Sequence, residues 1–186
     1  MANAEKVMNI GEMYYINVAF PTEAQPNPTP VWAHVDTGFS TVGTDYGANS
    51  EDGHWVGSKD GFTEILSYTI TFSLSQIVHT GEAVNDFINR LEYFLGVGLQ
   101  AQTDFVVAKP YMTGDPEDAP ARRYRVNVEF GSNDNEGGTA LSRDITLNSM
   151  GDSVEGAFDA VAEPMAFTAL TWNWGSDNRP IPNSAP

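Results

Sequence analysis

From Leu66 to Ser75 apolar and polar residues alternate strictly. Leu66, Tyr68, Ile70, Phe72 and Leu74 fall on one face, and Ser67, Thr69, Thr71, Ser73 and Ser75 on the other. A period of two is the mark of a β-strand. Taken over residues 65–78 it predicts a strand of roughly 45 Å at about 3.3 Å per residue, far beyond the usual five or six residues or so. The second face is uncharged, small and hydroxylic, which suits contact with water more than contact with a core. The period then changes. Ala83, Val84, Phe87, Ile88, Leu91, Phe94 and Leu95 recur at helical spacing and predict an amphipathic helix over residues 80–95. Thr80 stands as its N-cap, Glu82 and Asp86 suit its positive end, and Gly96 suits its stop.

Around this centre the pattern is that of further strands. Residues 12–20 read as a first strand, residues 21–30 are too rich in proline to be anything but a loop, and strand character resumes at Val31. Residues 43–61 are glycine-rich and poor in aliphatic side chains, so they read as a long loop between strands, of the kind that is usually functional. Strands are expected at residues 103–109, 122–131, 139–149 and 166–172, with a hairpin turn over residues 132–138. Alternation returns where Tyr124, Val126, Val128 and Phe130 separate from Arg123, Arg125, Asn127 and Glu129.

A chain of 186 residues holds one domain with a real core, here residues 1–186 with an N-terminal arm (1–11) and a C-terminal arm (175–186). Its charge is lopsided: 9 Lys and Arg against 25 Asp and Glu leave a formal −16. Tight nucleic-acid binding is disfavoured, because that affinity comes from cations displacing phosphate counterions. The bland reading is an acidic soluble protein; the sharper one is a surface that stays near a polyanion without holding it. With no cysteine, disulfides, thiolate catalysis and Cys-based zinc sites are excluded. No apolar run approaches the ~20 residues of a membrane span, and the first residues lack a signal-peptide pattern, so a protein made in a cytoplasm and kept out of the bilayer is expected.

Few motifs suggest catalysis. Asp36-Thr37-Gly38 after an apolar residue resembles half of an aspartic-protease dyad, but one copy would require a dimer, and a strand running into a tight turn accounts for it. His34, His54 and His79 lack metal-ligand spacing, and Asp134-Asn135-Glu136-Gly137 lacks the spaced acids of a calcium loop. No catalytic residue, metal or cofactor is assigned. Arg122, Arg123 and Arg125 form the one basic cluster, read either as a solvated strand face or as an intersubunit site for acids of a neighbouring copy.

The order of short motifs carries a resemblance. Pro30-Val31-Trp32-Ala33 leads to Gly38-Phe39-Ser40, then to a loop ending in Asp60-Gly61, then to the long strand around Tyr68-Thr69-Ile70-Thr71-Phe72-Ser73. Gly81-Glu82-Ala83-Val84-Asn85-Asp86-Phe87-Ile88 opens the helix, and late strands follow. This order, over roughly residues 10–170, resembles the major tail tube proteins of long-tailed, non-contractile (siphovirus-type) bacteriophages. Glu82 stands where the family pattern has Asp, and residues 114–120 look like an insertion. The resemblance implies a mainly β fold, a sandwich of two antiparallel sheets with one flanking α-helix, whose strands complete a large inter-subunit β-barrel in a hexameric ring. Such rings stack into a tube through which the genome passes. Implied partners are a tape measure protein in the lumen before ejection, tail terminator and baseplate or distal tail proteins at the ends, and transient double-stranded DNA. The implied location is a virion tail, assembled in the host cytoplasm.

Long strands with hydroxylic faces also fit a closed barrel with a water-filled lumen on physical grounds. Ser67, Thr69, Thr71, Ser73, Ser75, Asn127 and Glu129 are therefore expected to face that lumen. The 43–61 loop, with Asp45, Tyr46, Glu51, Asp52, Trp55, Lys59 and Asp60, and the two arms are expected to make ring-to-ring contacts. The alternative is a capsid decoration protein or other viral β-sandwich that covers a surface, which leaves the two long half-polar strands unexplained. A protease-like enzyme comes third.

Overall fold

The computed structural model describes residues 11–20, 25, 28–54, 56–57, 60–134, 139–174 and 180–182. Among them the order is β1 (Met13–Asn17), β2 (Trp32–His34), β3 (Phe39–His54), β4 (Gly61–Ile77), α1 (Ala83–Phe94), β5 (Gln102–Ala108), β6 (Ala119–Asp134), β7 (Ser142–Ser149), β8 (Val154–Asp159), β9 (Ala166–Ala169), β10 (Trp172–Trp174) and β11 (Pro180–Pro182). The fold is mainly β with one flanking helix, as expected, and every strand pair is antiparallel. Strands run β2-β1-β5-β6-β7-β4-β3 across the main sheet, while β10 and β11 form a separate ribbon.

The sheet branches at β6. One edge of β6 pairs β5 from Ala121 to Asn127; the other pairs β8 at residues 119–123 and then β7 from Val126 onward. Because side chains alternate along β6, the two faces bury different sets. On one face Ile16, Phe72, Leu74, Phe105, Val126, Ile145 and Leu147 meet Val84, Phe87, Ile88 and Leu91 of α1. Phe72 meets Phe105 there with its ring tilted, at 4.7 Å, and Tyr124 edge-on at 5.1 Å. On the other face, at the β8 end, Tyr15, Trp32, Val106, Ala108, Ala119, Ala121 and Phe158 make a second cluster. Each large side chain so buried contributes about 1.5–3 kcal/mol.

The helix differs from expectation at both ends. Glu82, not Thr80, is the N-cap and makes no side-chain capping bond. Asp86 instead accepts a hydrogen bond from the Gly81 amide at 3.1 Å, which places a carboxylate at the positive end. The chain turns left-handed at Leu95 (φ 46°), one residue before Gly96, whose amide donates to the Leu91 carbonyl at 3.3 Å. Ala83, Phe94 and Leu95, placed by spacing on the apolar stripe, are exposed.

The loop expected over residues 43–61 is a correction. Its first part belongs to β3, which pairs β4 from Thr41 opposite Ser75 out to His54 opposite Gly61. The ladder with β4 pairs the inner edge of β3 and water can reach its outer edge, so glycines and polar residues suffice where nothing is buried. Only residues 55–60 connect the strands, and Trp55 and Lys59 lie outside the described residues. Residues 1–10, 135–138, 175–179 and 183–186 lie outside them too, which takes in most of the expected arms and of the 134–137 motif. The single strand expected at residues 166–172 is two short ones, β9 and β10, and β8 was not expected at all.

Candidate functional site

Three neighbouring strands assemble a polar face on the side of the sheet opposite α1. Thr71 lies opposite Asn148, Ser73 opposite Thr146 and Ser75 opposite Asp144 across β4 and β7. Across β7 and β6, Asn148 lies opposite Asn127 and Thr146 opposite Glu129. Thr71, Ser73, Ser75, Asn127 and Glu129 are thus brought onto one continuous surface. Ser67 and Thr69 share its parity but lie farther out along β4, flanked by Asn49 and Gly47 of β3. The face is tied by cross-strand bonds: Ser75 Oγ donates to Asp144 at 2.9 Å, and Asn148 Nδ2 to Glu129 at 2.9 Å. Asp144, Thr146 and Asn148 were not among the expected residues, although their alternation with Arg143, Ile145 and Leu147 is visible in β7.

The three clustered arginines each have a partner in their own chain. Arg122 is ion-paired with Glu155 and donates to Ser153 at 3.1 Å. Arg125 pairs with Asp104 at 3.3 Å, and the Arg123 guanidinium lies 5.1 Å from the centre of the Phe167 ring.

Among the described residues a fourth arginine is the one the fold buries. Arg143 projects from β7 toward α1, where its Nε donates to Gln76 Oε1 at 2.6 Å and its two amino groups to Asn89 and Glu92. Gln76 passes the chain on to Asn85 at 2.5 Å, and Asn85 donates to the Thr37 carbonyl at 2.8 Å. Burial pulls the Arg143 guanidinium below its ordinary pKa, and Glu92 opposes that. This network clamps helix, sheet and the 36–38 turn together, and no buried side-chain polar atom among the described residues lacks a partner.

No protein-family model and no curated protein matches the sequence. Solved structures do match. The SPP1 tail tube, determined by solid-state NMR and cryo-EM, superposes with a TM-score of 0.57 at 14% identity, over 82% of this chain and 80% of that one. This chain has the tail tube fold. The tail of an empty gene transfer agent particle, computed with C6 symmetry, also matches at a TM-score of 0.47 and 11% identity, over 88% of this chain and 100% of the other.

Within this tail tube fold the β3–β4 hairpin leaves the body at about Thr71. Beyond it both faces of β4 are exposed from Gly61 to Thr69, and so is nearly all of β3 from Asp45 to His54. Asp45, Tyr46, Glu51, Asp52 and Asp60 are therefore carried on a projecting ribbon and its turn. At its base the core-facing side of the hairpin, with Tyr46, Tyr68 and Ile70, borders an open groove of about 580 Å³ whose other walls include Tyr124, Lys109 and Trp172.

Asp36-Thr37-Gly38 is a tight turn into β3. The Thr37 amide donates to Asp36 Oδ1, His34 Nδ1 lies 3.1 Å from Asp36 Oδ2, and the Ile77 amide donates to the Gly38 carbonyl at 2.7 Å. Burial raises the Asp36 carboxyl, but the Thr37 amide and His34 outweigh it and hold it below its ordinary value. Among the described residues no group of three His, Asp or Glu side chains could hold a metal. Gly38 has φ +85°, and a Cβ there would sit 2.9 Å from the His79 ring and 3.0 Å from the Ile77 carbonyl. Gly38→Ala is accordingly expected to destabilise the subunit by about 1–3 kcal/mol. Urea unfolding read by circular dichroism checks this; an unchanged midpoint would show the turn to be more compliant than its geometry implies.

Proposed function

We propose that this chain is a structural tail tube subunit, of which six copies form a ring and rings stack around a channel that passes double-stranded DNA. The observation that carries this reading is the polar face of β4, β6 and β7, set opposite the helix-covered core in a chain with the tail tube fold. Lined by Thr71, Ser73, Ser75, Asn127 and Glu129, with Ser67 and Thr69 at its outer end, a closed barrel of such faces offers hydroxyls, amides and carboxylates to water, and the nearest cation on the same side of β6, Arg125, is paired with Asp104. Six copies at −16 give a formal −96 per ring. DNA is repelled evenly along such a wall and slides without being held. The hairpin tip and the two arms meet the next ring. Arg122, Arg123 and Arg125 extend an intersubunit contact from their in-chain partners. A tape measure protein fills the lumen before ejection, terminator and distal tail proteins close the ends, and the role is structural, not enzymatic. Assembly takes place in the host cytoplasm and the product is a virion tail.

Negative-stain electron microscopy of the purified protein across concentration and salt tests the reading. Rings or tubes with a central channel are the expected result, and particles that never enclose a channel at any concentration or salt count against it. The lumen assignment has its own test. Tubes built from Ser73→Lys, Asn148→Lys subunits are expected to retain labelled duplex DNA on co-sedimentation at low salt and release it as salt rises, while the unsubstituted tube retains none. Equal retention by both would place these side chains away from the bore.

A further inference from the structure

We propose that the exposed apolar knob at the end of α1, Tyr93 to Leu99, docks in the groove at the base of the β3–β4 hairpin of a neighbouring copy. The inference deepens the proposed ring by naming the two surfaces that meet. Among the described residues, two of the uncovered apolar surfaces lie at separate places and match one another. The knob comprises Tyr93 (82% exposed), Phe94, Leu95, Val97 (79% exposed) and Leu99, held out by the left-handed turn at Leu95 and the short helical turn at Gly98–Ala101. The Tyr93 and Phe94 rings alone, at about 150–250 Å² each, expose on the order of 300 Å². Leu95, Val97 and Leu99 add to it, which brings the knob to the size of the largest apolar patches of a typical monomer, about 300–600 Å² and often functional.

The groove is its counterpart. Tyr46 (56% exposed) and Tyr68 (57% exposed) continue the plane of the core outward from Phe72, and α1 of the same chain does not reach them. At about 580 Å³ the groove is large enough for several side chains. Charge favours the same pairing. Copies carrying −16 each repel one another least where acids are absent or balanced. No charged residue occurs from Tyr93 to Thr103, and the groove's charged lining is balanced, Lys109 and Arg122 against Asp152 and Glu155. Since knob and groove are different surfaces, their contact is head-to-tail, the kind that repeats around a ring instead of stopping at a pair.

Complementary variants of the full chain test this. Tyr93→Ser with Phe94→Ser removes the knob, and Tyr68→Glu blocks the groove; all three positions are exposed, and thermal melts confirm that each variant folds. Each alone is expected to be monomeric by light scattering. An equimolar mixture is expected to give dimers that grow no further, because one good knob then meets one good groove. In the unsubstituted background, a photo-crosslinker at Tyr93 is expected to capture peptides containing Tyr46, Tyr68 or Trp172 of another copy. Variants that still assemble alone, a mixture that stays monomeric, or crosslinks confined to other surfaces or missing altogether overturn the docking. Channel-bearing rings with crosslinks elsewhere would refute the docking and leave the tube reading standing; knob-to-groove crosslinks without any ring would do the reverse.

Discussion

Arg143→Met is expected to lower the stability of the subunit by about 2–4 kcal/mol, because it leaves the buried Gln76 and the half-buried Asn89 and Glu92 without their donor, the last of them still reached by water. For a chain of this length that is a fall in thermal midpoint of roughly 10 °C. The side chain is buried and bonds Gln76, Asn89 and Glu92 together, so its loss orphans groups on both β4 and α1. Methionine fills much of the volume and isolates the polar loss from a cavity effect. Arg143→Lys should recover little, since the three donors of an ammonium radiate from one nitrogen and cannot span acceptors that three separate guanidinium nitrogens reach at once. Arg122→Ala is the control: its pair with Glu155 is about half exposed, and such pairs are worth about 0–1 kcal/mol. Urea titrations of the three variants give the comparison. Equal small losses for Arg143 and Arg122 would mean that helix and sheet are held by apolar contact alone.

Shortening the hairpin is expected to abolish long tubes and leave the subunit folded. Asn49 and Ser67 are register partners, so replacing residues 50–66 by Asn-Gly closes the ladder with a turn that matches its twist. Both faces of β4 are exposed throughout the removed part, so the thermal midpoint should move by no more than a surface change does, about 0.5 kcal/mol equivalent. Tyr46 and Tyr68 remain, which keeps the groove. Electron microscopy is therefore expected to show rings or short stacks in place of tubes. Tubes of unchanged length would remove the hairpin tip from ring stacking, and an unfolded product would show that the ribbon supports the body after all.

Most of the architecture was legible where one face of an element is buried. β4, β6 and α1 declare themselves by periodicity because Phe72, Leu74, Val126, Val128 and Ile88 must alternate with solvent-facing neighbours. β3 beyond Asp45 could not be read that way: both of its faces are exposed, and a ladder between exposed strands leaves no hydrophobic period. β8 hides for another reason. At Gly156 a Cβ would lie 2.3 Å from the Thr168 carbonyl, so the position that packs tightest carries no side chain to signal it. The Arg143 network is non-local, yet it left a trace. Gln76 continues the apolar row of Phe72 and Leu74, Arg143 that of Ile145 and Leu147, and Asn85 sits between Val84 and Ile88 on the helix stripe. Polar residues at apolar positions on three elements are a sign that they meet. The polar face was half found, since Thr146 and Asn148 of β7 complete what β4 and β6 announced.

The outer edge of β3 is bonded to no other strand among the described residues. Sixteen residues of open backbone would ordinarily invite a like edge from another molecule. Along this one Asp45, Glu51 and Asp52 stand exposed, so two free subunits that approach edge to edge meet like charges before they can pair. The reach of that repulsion is about 30 Å at 0.01 M salt and about 3 Å at 1 M. In the assembly proposed above, growth from free subunits would be limited by a kinetic barrier that ions lower, and a stock of subunits would stay dissolved until a template offered a surface that outweighs the repulsion.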